Sequence, residues 1–352
     1  DTTPTKTLSG RFAADLFGST VTACDFNGDG RLDLAIAARG AEDRGRAPVP
    51  TDQGGVHVFV QRPTGFRDEP DQSLWGDVPN MAGDLVGQGG LLFGLALAAG
   101  DLDGDGACDL AASSTDYDQV AANNTNDGLV YVYRGVHEES GARGGLSAAP
   151  VLGWASTSTA DVGAAFGRAL TIGELDGNDR AELVMLAPNG DAGNGDNHGI
   201  VRIRAGAALP TMPITALAPA RAIEWSYVHN GDQDQLGFAA TIGDLTGDGA
   251  PDLVVGALRD EAMGSPDGTG TVALFRGVPG QLPERSVATV RPGVANGDSF
   301  GAALTLVGDL GTDGVPDLFV FATSVDTYGR DVGQVYMLDG RLDRAPTPLS
   351  LP

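Results

Sequence analysis

Lysine is almost missing from this sequence: Lys6 is the only one, and 22 Lys and Arg stand against 47 Asp and Glu, for a net charge of −25. A chain so poor in positive charge has no basic patch with which to neutralise phosphates, which argues against nucleic acid as a partner. Long apolar runs are also missing. None approaches the roughly 20 residues that span a bilayer as a helix, so no membrane span is expected. Asp1-Thr-Thr-Pro-Thr is no apolar leader and reads as a mature or trimmed start. Cysteine is scarce, with only Cys24 and Cys108. Two cysteines cannot staple 352 residues and lack the ligand pairing of a zinc site, which leaves a disulfide or two buried thiols as equal readings. Of the four histidines, His137, His198 and His229 fall in separate turns without metal-ligand spacing, and His57 falls in a strand as a packing or surface residue.

What the sequence has in quantity is glycine, 53 residues, with turn pairs such as Asn189-Gly190, Asn230-Gly231 and Asn296-Gly297 between short apolar runs. That pattern predicts an all-β protein. It also repeats. Phe17-Gly18, Phe93-Gly94, Phe166-Gly167, Leu236-Gly237 and Phe300-Gly301 each precede an acidic loop by eight or nine residues. The loops begin at Asp25, Asp101, Glu174, Asp244 and Asp309, and each is followed by an apolar run of buried-strand type. A third strand follows a turn ending in Gly, as in Val56-His-Val-Phe-Val and Leu129-Val-Tyr-Val-Tyr. A weaker fourth precedes the next Phe-Gly: 73–75, 151–154, 222–225 and 286–290, with Trp75, Trp154 and Trp225 recurring there as packing residues. Four strands per repeat predict a β-propeller, one domain over 1–352 with five four-stranded blades.

The acidic loops carry the chemistry. The second reads Asp101, Asp103, Asp105 and Asp109 at positions one, three, five and nine, with the Ala107 carbonyl at seven and Gly106 at the turn. Ca²⁺ takes six to eight oxygens at about 2.3–2.6 Å, and alternate residues of a tight loop supply them. Without a cation these carboxylates repel by roughly 4 kcal/mol per close pair at an effective dielectric near 20. Position twelve is Ala112, where a helix-loop-helix calcium site needs a bidentate Glu. The loop therefore joins two strands. The first loop offers Asp25, Asn27, Asp29, Arg31 (carbonyl) and Asp33, and the fourth Asp244, Thr246, Asp248, Ala250 (carbonyl) and Asp252. Calcium is expected in these three. The third offers Glu174, Asp176, Asn178, Arg180 (carbonyl) and Glu182, with Asp179 where glycine is usual. The fifth offers Asp309, Asp313, Val315 (carbonyl) and Asp317, with Gly311 leaving position three to water. These two bind weakly or keep only the turn. The five loops hold 17 of the 47 acids, so most of the charge imbalance belongs to them.

The Phe-Gly start, the Asp-rich loop, the apolar strand and the later Gly-x-Val-Tyr-Val-Tyr resemble the FG-GAP repeat of integrin α-subunit propellers and bacterial relatives, along essentially the whole chain. The sequence departs from that pattern in having five repeats where the integrin propeller has seven, and Val255-Gly-Ala-Leu258 is the nearest match to the GAP portion. Thr5–Ser9 has the sequence position of a last-blade strand, so the ring is expected to close by pairing this segment with residues 302–339. The resemblance implies structural calcium and an extracellular, cell-surface or periplasmic setting. Function is expected to be non-catalytic binding of a protein or glycan through the loops opposite the calcium sites, where Tyr117, Tyr328, His198, Arg44, Arg46, Arg259 and Arg330 are candidate anchors. The alternatives are a carbohydrate- or lipid-active enzyme, or a structural module of a larger surface protein. Asn123-Asn-Thr125 fits the N-glycosylation pattern.

Overall fold

The computed structural model describes residues 6–45, 49–79, 85–87, 90–117, 127–138, 145–156, 164–190, 198–220, 223, 225–228, 235–258, 269–283, 288–290, 299–323 and 333–341. Among them there is no α-helix, and no helix long and apolar enough to cross a membrane. The strands form five antiparallel meanders in chain order. The first is Phe17–Cys24, Asp33–Ala38, Gly55–Phe59 and Gln72–Trp75. The second is Leu97–Gly100, Asp109–Ser114, Leu129–Tyr133 and Leu152–Ala155. The third is Ala169–Gly173, Glu182–Ala187, Ile200–Arg204 and Trp225–Val228. The fourth is Leu236–Gly243, Asp252–Ala257, Thr271–Phe275 and Ala288–Val290. The fifth has three described strands, Phe300–Val307, Asp317–Ala322 and Gln334–Leu338.

Each sheet packs face to face on the next. Phe93, Tyr131 and Tyr133 of the second sheet lie against Ala35, Ala37, Val56 and Val58 of the first. Equivalent clusters join the second sheet to the third, the third to the fourth, and the fourth to the fifth. A strand covered on both sides needs no polar alternation. That is why Asp109–Ser114 and Leu129–Tyr133 are buried throughout.

The Phe-Gly turn makes these junctions. The residue before it has positive φ in all five repeats: Leu16 (55°), Leu92 (50°), Ala165 (52°), Gln235 (52°) and Ser299 (54°). The glycine after it follows suit, up to 110° at Gly237, a conformation that L side chains avoid. The aromatic residue then bridges in parallel to a glycine of the preceding sheet, Gly54 to Phe93, Gly128 to Phe166 and Gly270 to Phe300. A Cβ on Gly54 would stand 2.1 Å from the Phe93 nitrogen, so the close approach itself demands glycine.

Three expectations change. The fourth strand of the third sheet is Trp225–Val228, later than residues 222–225. A short parallel strand, Ala218–Pro219, adds to the edge of the second sheet beside Trp154 and Ala155, which the sequence did not signal. The N-terminal segment does not supply a strand to the fifth sheet over its described part: residues 6–10 carry no strand, and Lys6 and Arg11 pair with Asp68 and Glu69 beside the first sheet. Thr5 lies outside the described residues. Cys24 and Cys108 form a disulfide with Cα atoms 6.0 Å apart, tying the first sheet to the second repeat's acidic loop.

Candidate metal centre

Each acidic loop runs from the end of a sheet's first strand to the start of its second, and one carboxylate roots it. The ninth-position acid opens the second strand and is wholly buried in all five repeats: Asp33, Asp109, Glu182, Asp252 and Asp317. Its two oxygens accept from different places. One takes the N–H of the loop's second residue, from Phe26 to Asp33 (3.1 Å), Leu102 to Asp109 (2.9 Å), Leu175 to Glu182 (2.7 Å), Leu245 to Asp252 (2.9 Å) and Leu310 to Asp317 (2.6 Å). The other takes an N–H just past the third strand: Gln61 (2.8 Å), Gly135 (2.8 Å), Gly206 (3.2 Å), Gly277 (3.0 Å) and Gly340 (3.0 Å). Burial pushes up Asp33 to about 6 and both Asp109 and Glu182 to about 7, against the lowering pull of the N–H groups; Asp252 is raised by burial too.

The first-position acid winds the loop around itself. Asp101 accepts from Gly104 and Asp105 on Oδ1 and from Gly106 on Oδ2. Asp25, Asp244 and Asp309 repeat this with Asp29 and Gly30, with Gly247, Asp248 and Gly249, and with Asp313 and Gly314. Glu174, one methylene longer, gathers Asp176, Gly177 and Asn178 on one oxygen. The fifth-position side chain accepts the seventh residue's N–H: Asp29 from Arg31, Asp105 from Ala107, Asn178 from Arg180, Asp248 from Ala250 and Asp313 from Val315. Neighbouring loops are stitched as well, with Cys108 N–H donating to the Asp25 carbonyl (2.7 Å) and Ala181 N–H to the Asp101 carbonyl (2.9 Å).

Does this donor set suit a cation? In the second loop one oxygen each from Asp101, Asp103 and Asp109 lie within 4.8 Å of one another, and so do those of Glu174, Asp176 and Glu182 in the third. Oxygens that each stand about 2.4 Å from one ion can be no farther apart than that. Both sets fit a calcium-sized ion. The third loop, weakened on paper by its glutamates and Asp179, gathers its acids as well as the second. Asp179 takes the turn's left-handed conformation with φ of 64°. In the fourth loop the buried Thr246 stands at position three with its side chain beside Asp248. In the fifth, Asp339 brings a carboxylate oxygen to 3.6 Å from where a Gly311 Cβ would stand, and Asp317 one to 3.9 Å.

The fifth-position acids also pair with arginines. Arg31 pairs with Asp29, Arg134 with Asp105 and also Asp103, Arg276 with Asp248, and Arg341 with Asp313. Arg134, Arg276 and Asp339 share one position, immediately before the glycine that caps the ninth acid. In the sequence its signal is the recurrent residue pair Arg134-Gly135 and Arg276-Gly277 after the third strand.

Of the anchors expected on the opposite rim, Arg46, Arg259, Arg330 and Tyr328 lie outside the described residues, as does Asn123-Asn-Thr125. His198 is buried and engaged in contacts, and Tyr117 packs against the first core cluster. Of the described anchors only Arg44 is exposed, with its guanidinium over the Phe12 ring at 3.7 Å. His57 is a packing residue between Phe17 and Trp75, bonded to Ser73 Oγ at 2.8 Å.

Residues 17–59 and 93–133 match the model of the FG-GAP repeat. The chain is similar to integrin alpha-PS3 of Drosophila melanogaster, 32% identical over 183 residues, which is 51% of this chain and 14% of that protein. It is similar also to phosphatidylinositol-glycan-specific phospholipase D of Homo sapiens, 28% identical over 242 residues, 68% of this chain and 26% of that one. It thus spans well under half the length of either relative. Among solved structures, a rhamnogalacturonan lyase of Bacillus licheniformis and the rhamnogalacturonan lyase YesW each superpose with a TM-score of 0.39 at 14% identity, over 93% and 92% of this chain and 65% of theirs.

Proposed function

From the premise that this chain carries FG-GAP repeats, we propose that it is a calcium-stabilised, five-bladed propeller-type module of an extracellular, cell-surface or periplasmic protein. Its role in this reading is binding: it presents loops to a protein or glycan and performs no chemistry of its own. The observation that carries the calcium part is the repetition of one loop geometry five times, with the ninth acid rooted in backbone N–H groups and the first acid wound into the loop. Carboxylates bonded in this way to their own backbone are positioned to hold the loop, which is the work of a structural site. In the second loop Asp101, Asp103 and Asp109 would hold the ion, and in the third Glu174, Asp176 and Glu182. The ion would neutralise charge that the fold crowds together. The Cys24–Cys108 disulfide supports an oxidising compartment.

A direct test is to present the calcium-loaded chain to arrays of glycans and extracellular proteins, and in parallel to polysaccharide and phosphoinositol-glycan substrates. Retention of a ligand without turnover supports the reading. Release of product from any substrate favours an enzyme built on the same scaffold.

A further inference from the structure

We infer that a cavity at the rim opposite the acidic loops, walled by the third, fourth and fifth repeats, binds the carboxylate of a sugar acid through Arg168, with Arg39 beside it. The inference rests on the binding role proposed above and names the chemistry of the ligand.

The place follows from the strand directions. Each acidic loop joins the end of a first strand to the start of a second. The start of a first strand and the end of a second therefore lie at the other rim. Arg168 follows the Phe166-Gly167 turn, and its N–H donates to the Ala165 carbonyl (3.0 Å) and the Leu186 carbonyl (3.1 Å), which fixes its backbone. The same position one repeat later is Phe238, whose ring centroid lies 4.6 Å from the Arg168 guanidinium. Arg39 follows Ala38, the last residue of the first sheet's second strand, at the same rim.

Two cations stand here without a counterion. Arg31, Arg62, Arg134, Arg276 and Arg341 each pair with a carboxylate. Arg39 and Arg168 pair with none among the described residues, in a chain where 47 Asp and Glu outnumber 22 Lys and Arg. Both are half-buried, and the buried Nε of Arg39 has no hydrogen-bond partner. Burial first, and the charge of Arg39 second, lower Arg168 from its usual value. A buried donor without an acceptor and two neighbouring like charges both cost free energy, and a bound anion relieves both.

The cavity beside Arg168 has a volume of about 400 Å³ and no acid among its described walls. Ala165, Gln235 and Ser299, the positive-φ residues of three successive repeats, form part of it, so its shape is set by the turns themselves. Gln235 Nε2 donates to Asn189 Oδ1 at 3.2 Å, which leaves Asn189 Nδ2 as a donor and Gln235 Oε1 as an acceptor; Ser299 adds a hydroxyl. A guanidinium for a carboxylate and amides for hydroxyls is a recognition set for a sugar acid. An aspartate or glutamate side chain would engage the arginine but has no hydroxyls for the amides.

The test uses the full chain with calcium and free glucuronate as the probe, followed by saturation-transfer NMR and calorimetry, with glucose as the neutral control. Glucuronate should bind, and glucose should bind at least about tenfold more weakly, the effect of one charge-assisted contact. Arg168→Gln should lower glucuronate affinity about tenfold or more and Arg39→Gln several-fold, with unchanged circular dichroism spectra. Arg67→Gln, which alters an exposed arginine paired with Asp71, should leave binding intact. No glucuronate binding, equal binding of glucose, or glucuronate binding that survives Arg168→Gln overturns the inference. So does binding of a short aspartate peptide without binding of glucuronate, which would give the site to a protein partner. A neutral glycan retained by the chain and indifferent to both variants overturns this inference and leaves the binding role standing. Turnover of a substrate removes that role and leaves the carboxylate preference to be read from the same titrations.

Discussion

Arg134 donates from Nε to Asp103 Oδ2 at 3.0 Å, and its terminal nitrogen reaches Asp105. The guanidinium therefore pairs with a carboxylate, Asp103, that a cation in the second loop would also use, so arginine and calcium would compete for it. Replacing Arg134 by Ala should lower the melting temperature in chelator, by about 1 kcal/mol of stability for a charge-assisted pair that is partly solvated. It should also tighten calcium binding several-fold. Calorimetric titration of the variant checks both; unchanged affinity would mean that the pair plays no part in the site.

The loop acids should separate by position. Asp109→Ala strands two buried N–H groups, on Leu102 and Gly135, and should cost roughly 2–5 kcal/mol even without metal. Asp103→Ala leaves those bonds whole and should remove about one bound ion while lowering metal-free stability by no more than the ~1 kcal/mol of its pair with Arg134. Denaturant titration in chelator and equilibrium dialysis in calcium read the two effects apart.

At the fifth loop, Asp339→Ala is the informative change. Asp339 has a carboxylate oxygen 3.6 Å from where a Gly311 Cβ would stand, so if it serves as the third ligand its loss should abolish any ion bound there and leave the other four loops unaffected. Calcium stoichiometry falling by less than one ion would show that water fills that place instead.

Stability of the metal-free chain should fall as pH rises. Burial raises the folded-state values of Asp33 to about 6 and of Asp109 and Glu182 to about 7. A carboxyl with a raised folded value binds its proton more tightly when folded. It contributes stability below about pH 4 and loses that contribution as pH climbs through 6 to 7. Melting temperatures in chelator should therefore drop between pH 5 and 8, and saturating calcium should flatten the slope. A rising chelator profile over that window would refute the charge-crowding account.

Breaking the Cys24–Cys108 link should cost about 2–5 kcal/mol, the usual range for a native disulfide closing a long loop. The double Ser variant, melted with calcium present, checks this.

Much of this molecule was readable from residue order. The third strands Leu129–Tyr133, Ile200–Arg204, Thr271–Phe275 and Gln334–Leu338 fall where their apolar residues place them; the first three are buried along their whole length, whereas in Gln334–Leu338 only Leu338 is buried. Outer strands were harder. Trp225–Val228 starts later than expected, and Ala218–Pro219 was invisible, since edge strands are short and carry no periodicity. The loop acids declared themselves by spacing, but Arg134, Arg276 and Asp339 did not, because they reach the site from another strand and only the register brings them there. His198 failed as an anchor for a similar reason: a turn residue looks exposed until a neighbouring segment covers it.

If calcium in the acidic loops holds the sheets in place, a paired melt shows it most directly. The full chain is unfolded by heat in excess chelator and again with calcium at a hundredfold excess over its dissociation constant, with metal content verified in both. One site filled to that degree adds about 2.7 kcal/mol, so the calcium curve should lie several degrees or more above the chelator curve, and re-added calcium should restore it. Coincident curves, with calcium shown to be absent from one sample and available to the other, would contradict the account.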